Sequence, residues 1–429
     1  MPTYLPPAAA LPAHPEHQRV EAARALLQVV AKGRTTDQLV SGLSTPLAGE
    51  MLFGALRHYY SLAQSLEPLL SRPIRDRDQD LWCLLIVGAY QLHYLRIPDH
   101  AAVHATVSAC AALGKPWARG FVNGVLRSLQ RGPKPSFDAA QAHPDWFADL
   151  IRAEMPRQAD AVLQGNQSRA PMSLRVNTTR IDPADYGRAL SEAGIESQAG
   201  LVAEQLILDQ PVARHTLPGY ADGLVSIQDA GAGFAPQLLA PQCGARLLDA
   251  CAAPGGKLFH LLERCPDLDA VALDVAPARV AHLRDEAGRL GHRASILEAD
   301  ATTLEWWDGT PFHAVLLDAP CTGSGTLRRH PEMKLLRGAD DLAPNAERQA
   351  KLLSSVWHTL RPGGKLLYCT CSLFSAENDA VIEEFLANTA DARASAFVLP
   401  AGLSTRHGWQ LTPADWRTDG FYYALLSKD

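Results

Sequence analysis

The spacing of apolar residues predicts helices over the first third of the chain. Across residues 18–129 apolar positions recur at i, i+3 and i+4, as in Val20–Val30 and Leu52–Ala63. This is the spacing of amphipathic helices that pack on a common core. Residues Asp80–Leu92 are apolar on nearly every face and are expected to form the central buried helix. The pattern therefore predicts an all-α domain of about five to seven helices over residues 1–140.

A different pattern follows the run Gly132-Pro133-Lys134-Pro135, whose composition predicts a domain boundary. Helical spacing returns over residues 144–164. Strands are then predicted at Met172–Val176 and Gln205–Leu208, with a helix between them at Pro183–Gly194. We interpret residues 141–235 as a small α+β unit.

From Gly244 onward short apolar strands alternate with helical patterns, which indicates a parallel sheet with helices on both faces. The run Gly420–Leu426 near the end of the chain predicts a closing antiparallel strand. Residues 236–429 are thus expected to form a Rossmann-like α/β domain, and the fold class is multidomain. The predicted parallel strands are Arg246–Ala250, Ala270–Asp274, Ala294–Glu298, His313–Asp318 and Lys365–Cys371.

Composition narrows the class of protein. Of 429 residues 47% are apolar and 20% charged, as in soluble globular proteins, and no apolar run approaches the roughly 20 residues that span a bilayer. Residues 1–17 lack the basic start of a signal peptide, so we interpret them as a loose tail. The eight cysteines are too scattered for a disulfide framework and lack metal-ligand spacing. We expect a cytoplasmic protein without a metal or a membrane partner.

The net charge of −6 is unevenly distributed. Residues 1–140 carry 14 basic and 10 acidic side chains, whereas the remainder carries 26 basic and 36 acidic ones. A mildly basic amino-terminal region is compatible with RNA, but so modest an excess also suits any solvated surface.

The first strand of the alternating region leads into the sequence Asp249-Ala-Cys-Ala-Ala-Pro-Gly-Gly-Lys257. Adjacent glycines allow a ligand to approach the backbone at a helix amino terminus. The GxxxxGK[ST] and GxGxxG motifs are both missing. The next two strands end at Asp274 and at Glu298-Ala-Asp300, where acids can bond a ribose and an adenine. We infer an adenosine cofactor without a pyrophosphate, which indicates S-adenosylmethionine.

Two further strand ends carry thiols. The sequence Asp318-Ala-Pro-Cys321 follows one strand, and Cys369-Thr-Cys371 ends the next. A thiolate is the suitable nucleophile for C6 of cytosine, whose C5 then accepts a methyl group, and a nearby carboxyl group stabilises the charge that develops on the ring. Cys369 is assigned to packing. The residues alone leave Cys321 and Cys371 as equal candidates for the nucleophile, and cysteines that only pack, in a methyltransferase for proteins or small molecules, are an alternative.

The motifs DACAAPGGK, ALDV, EAD, DAPCTGSG with RRHPE, and YCTCSLFSAEN together resemble the RNA cytosine-C5 methyltransferases. The resemblance covers the whole chain. Residues 1–140, with FVNGVLR at 121–127, are similar to the NusB-like domain of bacterial 16S ribosomal RNA members, and residues 145–235, with SLRVN at 173–177, resemble their RNA-recognition-like segment. Cys369 departs from the family pattern, which has no thiol there.

The resemblance implies a role for each matching residue. Cys371 is the nucleophile, Cys321 assists product release, and Asp318 and Lys257 complete the catalytic set. The cofactor positions are Cys251, Ala252, Ala253, Pro254, Gly255, Gly256, Lys257, Asp274, Asp300 and Asp318.

The expected substrate is a single-stranded or flipped-out cytosine of 16S ribosomal RNA, and the resemblance implies cytosine 967. We expect a monomer. Arg328, Arg329, His330 and Lys334 follow the Pro-Cys loop and are candidates for contacts with RNA phosphates, although solvated charges are an equally good interpretation of each. The alternative functions are methylation of cytosine in transfer RNA or another RNA, and a NusB-like RNA-binding factor with an inactive methyltransferase fold.

Overall fold

The computed structural model describes residues 15–132 and 138–429. The tail at residues 1–14 and most of the predicted boundary at 132–135 lie outside the described residues. The chain divides into two compact units. The first comprises the described residues up to Arg152 with Asn166–Ser168 and Leu327–Gly338, and the second comprises the rest.

The first unit contains the predicted helical domain. The core is built around α4, in which eleven residues from Leu81 to Leu92 are buried, and α2 begins at Pro46 because the Thr45 hydroxyl accepts a hydrogen bond from the Ala48 N–H. The helices are α1 (Pro15–Lys32), α2 (Pro46–Arg57), α3 (Tyr59–Leu66), α4 (Gln79–Tyr94), α5 (Asp99–Ala112) and α6 (Arg119–Arg131). Two further helices follow, α7 (Asp145–Glu154) and α8 (Ala159–Gln167).

A small antiparallel sheet with the strand order β2-β3-β1-β4 follows α8. Its buried side chains, among them Leu174 and Val176, pack against Tyr186 and Leu190 of one helix. The predicted strand and helix positions here are confirmed to within a few residues. The elements are β1 (Met172–Val176), α9 (Pro183–Glu192), β2 (Ser197–Ala199), β3 (Gln205–Leu208) and β4 (Val225–Ile227).

The large sheet has the strand order β11-β12-β13-β9-β8-β5-β6-β7, and β10 pairs with β13. Strands β9, β8, β5, β6 and β7 are parallel neighbours. The strands are β5 (Arg246–Asp249), β6 (Asp269–Asp274), β7 (Ser295–Glu298), β8 (Phe312–Asp318), β9 (Leu360–Thr370), β10 (Ala392–Ser395), β11 (Leu403–Ser404), β12 (Trp409–Leu411) and β13 (Phe421–Lys428). The helices are α10 (Ala235–Leu239), α11 (Gly256–Arg264), α12 (Pro277–Leu290), α13 (Met333–Leu336, in the first unit), α14 (Leu342–Thr359) and α15 (Asp379–Asn388).

Two apolar clusters cover the two faces of this sheet, as predicted for a doubly wound arrangement. The closing strand β13 is confirmed and runs antiparallel to β9. The short strands β10–β12 and helix α15 were not predicted. One pair of cysteines, Cys243 and Cys265, is bonded as a disulfide, and the other six are free.

Candidate active site

The carboxyl ends of the parallel strands bring the predicted residues to one edge of the sheet. Asp249 is in register with Leu316 of β8, and Asp318 is in register with Cys369 of β9. Because neighbouring parallel strands end together, the loops that follow β5 and β8 are adjacent. Ligands of open α/β sheets bind at this edge.

The glycine-rich loop after β5 is held by backbone hydrogen bonds to both neighbouring strands. The Ala250 N–H donates to Leu316 O at 2.9 Å, and the Ala252 N–H donates to Leu273 O at 2.8 Å. Gly255 has a φ of +97°, and a Cβ there would lie 2.2 Å from the Phe259 ring. Glycine is therefore required at this position, where the chain turns into α11.

Asp249, at the end of β5, is a functional candidate that the sequence analysis passed over. The residue is 1% exposed, and its Oδ1 has no hydrogen-bond partner among the described residues. Burial, reinforced by the charge of Asp318, raises the pKa of Asp249 to about 8. The signal was present in the sequence, since Asp249 ends an apolar strand as Asp274 does.

The other two acids at strand ends lie in different environments. Asp274 is 4% exposed, and it accepts hydrogen bonds from the Ala276 N–H at 3.1 Å and forms an ion pair with Arg279 at 3.2 Å. Asp300 is exposed and accepts from the Thr302 N–H at 2.8 Å, an interaction that lowers the pKa of Asp300.

Lys257, which is buried, forms an ion pair with the half-buried Asp318. Lys257 Nζ lies 2.5 Å from Asp318 Oδ2 and 5.2 Å from the centre of the Phe421 ring. Burial lowers the pKa of Lys257, but the charge of Asp318, its hydrogen bond and the neighbouring Cys369 and Tyr423 together outweigh that effect and raise the pKa well above its ordinary value. The second oxygen, Asp318 Oδ1, accepts from the Cys369 thiol at 3.4 Å. The ammonium group is thus held charged beside the Pro-Cys loop.

The structure brings the two candidate thiols together. Cys321 Sγ lies 3.3 Å from Cys371 Sγ, although 50 residues separate them in the chain. The hydrogen bond with Cys371, together with burial, raises the pKa of Cys321 well above its ordinary value. Cys369 is fully buried in the core cluster, in agreement with a packing role.

The segment after the Pro-Cys loop corrects one prediction. Arg328 is 1% exposed and Lys334 is 2% exposed, and both belong to the first compact unit. Lys334 Nζ donates to the carbonyl oxygens of Arg57 and of Ala142, the latter at 2.8 Å. Both cations are too deeply buried to meet phosphates, and Lys334 is in addition occupied by two backbone carbonyls, so the prediction of RNA contacts is wrong for Arg328 and Lys334. Arg329 and His330 are half-buried, and their RNA contacts stay a prediction.

Two further buried residues were not given roles from the sequence. Arg175 of β1 donates to the Gly256 carbonyl oxygen at 2.6 Å and forms an ion pair with Glu263 at 2.7 Å. It therefore stabilises the amino terminus of α11, where the glycine-rich loop ends.

Glu377 contacts both of the loops that carry the thiols of Cys321 and Cys371. Arg175 and Glu377 each lay within a quoted motif, but the contacts of neither can be read from local sequence.

Family models match the chain in three consecutive parts. The model described as 16S rRNA methyltransferase RsmB/F matches residues 236–427, and the NusB family model matches residues 16–131. A ferredoxin-like domain of RsmF/B-like methyltransferases matches residues 143–215.

Whole-chain relatives decide the family. Ribosomal RNA small subunit methyltransferase B of Xylella fastidiosa is 45% identical over 96% of this chain and 98% of its own. The protein of the same name from Vibrio cholerae is 40% identical over 96% and 97%. The chain belongs to the 16S rRNA methyltransferase RsmB/F family. Membership in the RsmB/F family confirms the predicted RNA methyltransferase class and the three predicted kinds of domain.

Solved structures agree on the fold of this RsmB/F family member. The crystal structure of PH0851 is similar with a TM-score of 0.84 over 98% of this chain and 100% of that one, at 22% identity. A methyltransferase homologue from Pyrococcus horikoshii has a TM-score of 0.60 and 28% identity, and covers 67% of this chain and 96% of its own.

The described residues contain neither a membrane-spanning helix nor a metal-binding cluster. No helix in the described ranges has the length and apolarity needed to cross a membrane. Within residues 15–132 and 138–429 no group of three or more His, Cys, Asp or Glu side chains is arranged to hold a metal ion.

Proposed function

We propose that this protein transfers the methyl group of S-adenosylmethionine to C5 of a cytosine in 16S ribosomal RNA, through a transient bond between Cys371 and C6 of the base. The observation that carries the proposal is the pair of thiols 3.3 Å apart, beside the Lys257–Asp318 ion pair. Amino-group methyltransferases have no use for two thiols at this position. The names of the relatives support small-subunit ribosomal RNA as the substrate.

The residues present fit S-adenosylmethionine. The orphaned Oδ1 of Asp249 offers a buried acceptor to a cationic ligand. We assign the cofactor to residues 251–257, Asp274, Asp300 and Asp318. The cofactor supplies an electrophilic methyl group.

Chemistry at the base is assigned to four side chains. Cys371 loses its thiol proton to solvent, and the thiolate bonds to C6 while the electron pair of the C5–C6 double bond moves towards N3. Asp318, held by Lys257, relays a proton to N3 and accepts a hydrogen bond from the 4-amino group, so that no negative charge builds up on the ring. C5 then gains the methyl group and loses its proton to a base, after which the S–C6 bond breaks to release the thiolate, the C5–C6 double bond re-forms and N3 returns its proton to Asp318. Cys321 assists this last step, and its raised pKa keeps its thiol protonated at neutral pH.

Replacing each thiol separately tests the proposal. Cys371→Ala should abolish methylation of 16S RNA while leaving S-adenosylmethionine binding intact, as measured by calorimetry. Cys321→Ala should leave the protein bonded to RNA, visible as a band that resists denaturation. If Cys371→Ala is trapped on RNA and Cys321→Ala is not, the roles of the two thiols are reversed. Full turnover by Cys371→Ala would refute covalent catalysis by Cys371.

The target nucleotide is a finer part of the same proposal. We infer cytosine 967, in single-stranded or flipped-out form. Bisulfite sequencing of 16S RNA and transfer RNA from a deletion strain should show the loss of 5-methylcytosine at that position alone. Loss in transfer RNA instead would favour the alternative substrate, and no loss in any RNA would favour an inactive RNA-binding factor.

A further inference from the structure

The sheet itself does not fix the distance between the two catalytic thiols. Asp318 and Cys369 form the last ladder pair of β8 and β9, and the Ala319 N–H still donates to Cys369 O at 2.8 Å. Strand β8 ends at Asp318, whereas β9 continues to Thr370, which pairs with Tyr422 of β13. Cys321 and Cys371 lie just beyond the ladder between β8 and β9, on loops joined by a hydrogen bond from the Gly325 N–H to Cys371 O at 2.9 Å, so the distance between the two sulfurs depends on contacts outside the ladder.

Glu377 contacts the residue that follows each thiol. Its carboxylate accepts from the Thr322 N–H at 2.8 Å and from the Thr322 hydroxyl at 2.5 Å. It also accepts from the Ser372 hydroxyl at 2.5 Å. Thr322 follows Cys321 and Ser372 follows Cys371, so one side chain bonds both loops.

Glu377 is itself held in place. The side chain is fully buried, and its own carbonyl oxygen accepts from the Tyr368 hydroxyl at 2.7 Å. Gln349 of α14 donates to Glu377 Oε1 at 3.4 Å and to the Pro320 carbonyl oxygen at 2.9 Å. The backbone of Glu377 is thus held from β9 and its carboxylate from α14, so the side chain has a fixed position relative to the two loops.

We propose that Glu377 is a positioning residue that sets the distance between the sulfurs of Cys321 and Cys371. Hydrogen bonds to an ionised acceptor are shorter and stronger than those between neutral groups, which suits a contact that must hold two loops in register. A displacement of about 1 Å in a reacting group costs about 10²-fold in rate. Glu377 touches neither substrate nor cofactor in this role.

The consequence for catalysis rests on the proposed function, so the first test measures geometry alone. Diamide oxidises neighbouring thiols to a disulfide, and mass spectrometry of the linked peptides reports the Cys321–Cys371 bond. We expect Glu377→Gln to slow formation of this bond by about 10-fold or more, because the amide nitrogen faces donors instead of accepting from them. Glu384→Gln, an exposed substitution on α15, is the matched control.

The second test measures catalysis. Glu377→Gln should lower kcat about 10²-fold while the KM and the calorimetric affinity for S-adenosylmethionine stay at the wild-type level. In the Cys321→Ala background it should slow the appearance of the trapped RNA adduct. Glu377→Asp should restore part of kcat, because it retains the carboxylate. Ser372→Ala removes the hydrogen bond between Ser372 and Glu377 and should give a smaller loss of kcat than Glu377→Gln. This variant tests the proposal if the Glu377 variants do not fold.

The proposal would be overturned if Glu377→Gln showed the wild-type rate of cross-linking and the wild-type kcat. It would also be overturned if kcat fell while the rate of cross-linking stayed unchanged. A loss of cofactor affinity equal to the loss of kcat would also overturn it, since that pattern indicates a collapsed cleft. If Cys371→Ala keeps full activity, the proposed function fails, but the cross-linking rates still decide the role of Glu377.

Discussion

Two buried lysines in different compact units show how differently the same side chain is used. Lys257 is 8% exposed and Lys334 is 2% exposed. Lys257 is paired with a carboxylate, which raises its pKa well above the ordinary value. Lys334 contacts backbone carbonyls and lies near Arg57, and burial followed by that repulsion lowers its pKa well below the ordinary value. Burial alone therefore does not decide the charge state of a lysine, because the partner sets the direction in which its pKa moves.

The acids around Lys257 are assigned to the proposed chemistry, whereas the contacts around Lys334 stabilise the helical unit. Glu332 reinforces the contacts around Lys334, since its Oε1 accepts from the Thr36 hydroxyl at 2.8 Å and from the Thr36 N–H at 3.1 Å. The segment Leu327–Gly338, which directly follows the Pro-Cys loop in sequence, thus belongs to the first, helical unit. Five substitutions test this division, in order of decreasing expected effect.

Lys257→Met should have the largest effect, a loss of about 10²–10⁴-fold in kcat. The substitution removes the cation that balances Asp318, so charge on the base is no longer stabilised. Single-turnover methylation of 16S RNA measures the loss. A rate within about threefold of wild type would remove Lys257 from the catalytic set.

Lys334→Met should instead lower the free energy of unfolding by about 1–3 kcal/mol, because two buried carbonyl oxygens lose their donor. Urea unfolding measures this. The affinity for S-adenosylmethionine should be unchanged by Lys334→Met, whereas a substitution in the cofactor cleft should lower that affinity. A stable protein with weakened RNA binding would restore the original prediction for Lys334.

Changes in pH should act on the two compact units with opposite signs. The pKa of Asp249 is raised to about 8, so between pH 4 and 8 the folded state binds more protons than the unfolded one and stability falls as pH rises. Burial, with Lys334 and Arg57 nearby, lowers the pKa of His58 to about 3, so between pH 6.5 and 3 the unfolded state binds more protons and stability falls as pH falls.

Hydrogen exchange at several pH values separates the two units. Asp249→Asn should remove the alkaline loss from the second unit, and His58→Phe should remove the acid loss from the first. The two variants are controls for each other. If Asp249→Asn changes only acid behaviour, the buried acid is not protonated in the folded protein.

Arg329→Ala tests the surviving part of the RNA prediction and should have the smallest effect. One lost phosphate contact should weaken RNA binding at all sequences and reduce the slope of log K against log salt by about 1. Lys334→Met should leave that slope unchanged. Equal slopes for Arg329→Ala and wild type would end the prediction of phosphate contacts for Arg329.

Local patterns were sufficient to predict most elements. The long apolar run of α4 and the short apolar run of β8 depend on residues within one element, and β3 was predicted at its observed bounds. Strand-end acids such as Asp274 were predicted for a related reason, since parallel strands must end at one edge. The short strands β10–β12 escaped prediction because two to four residues carry no periodicity.

What the sequence by itself determined about this protein is its three kinds of domain and the motif-bearing loops at the strand ends, because each depends on residues close together in the chain. Only the tertiary structure decided that Cys321 and Cys371 are neighbours and that Glu377 bonds both of their loops. It also decided that Lys334 belongs to the helical unit. These contacts join residues separated by up to 277 positions, and no local pattern encodes such a distance.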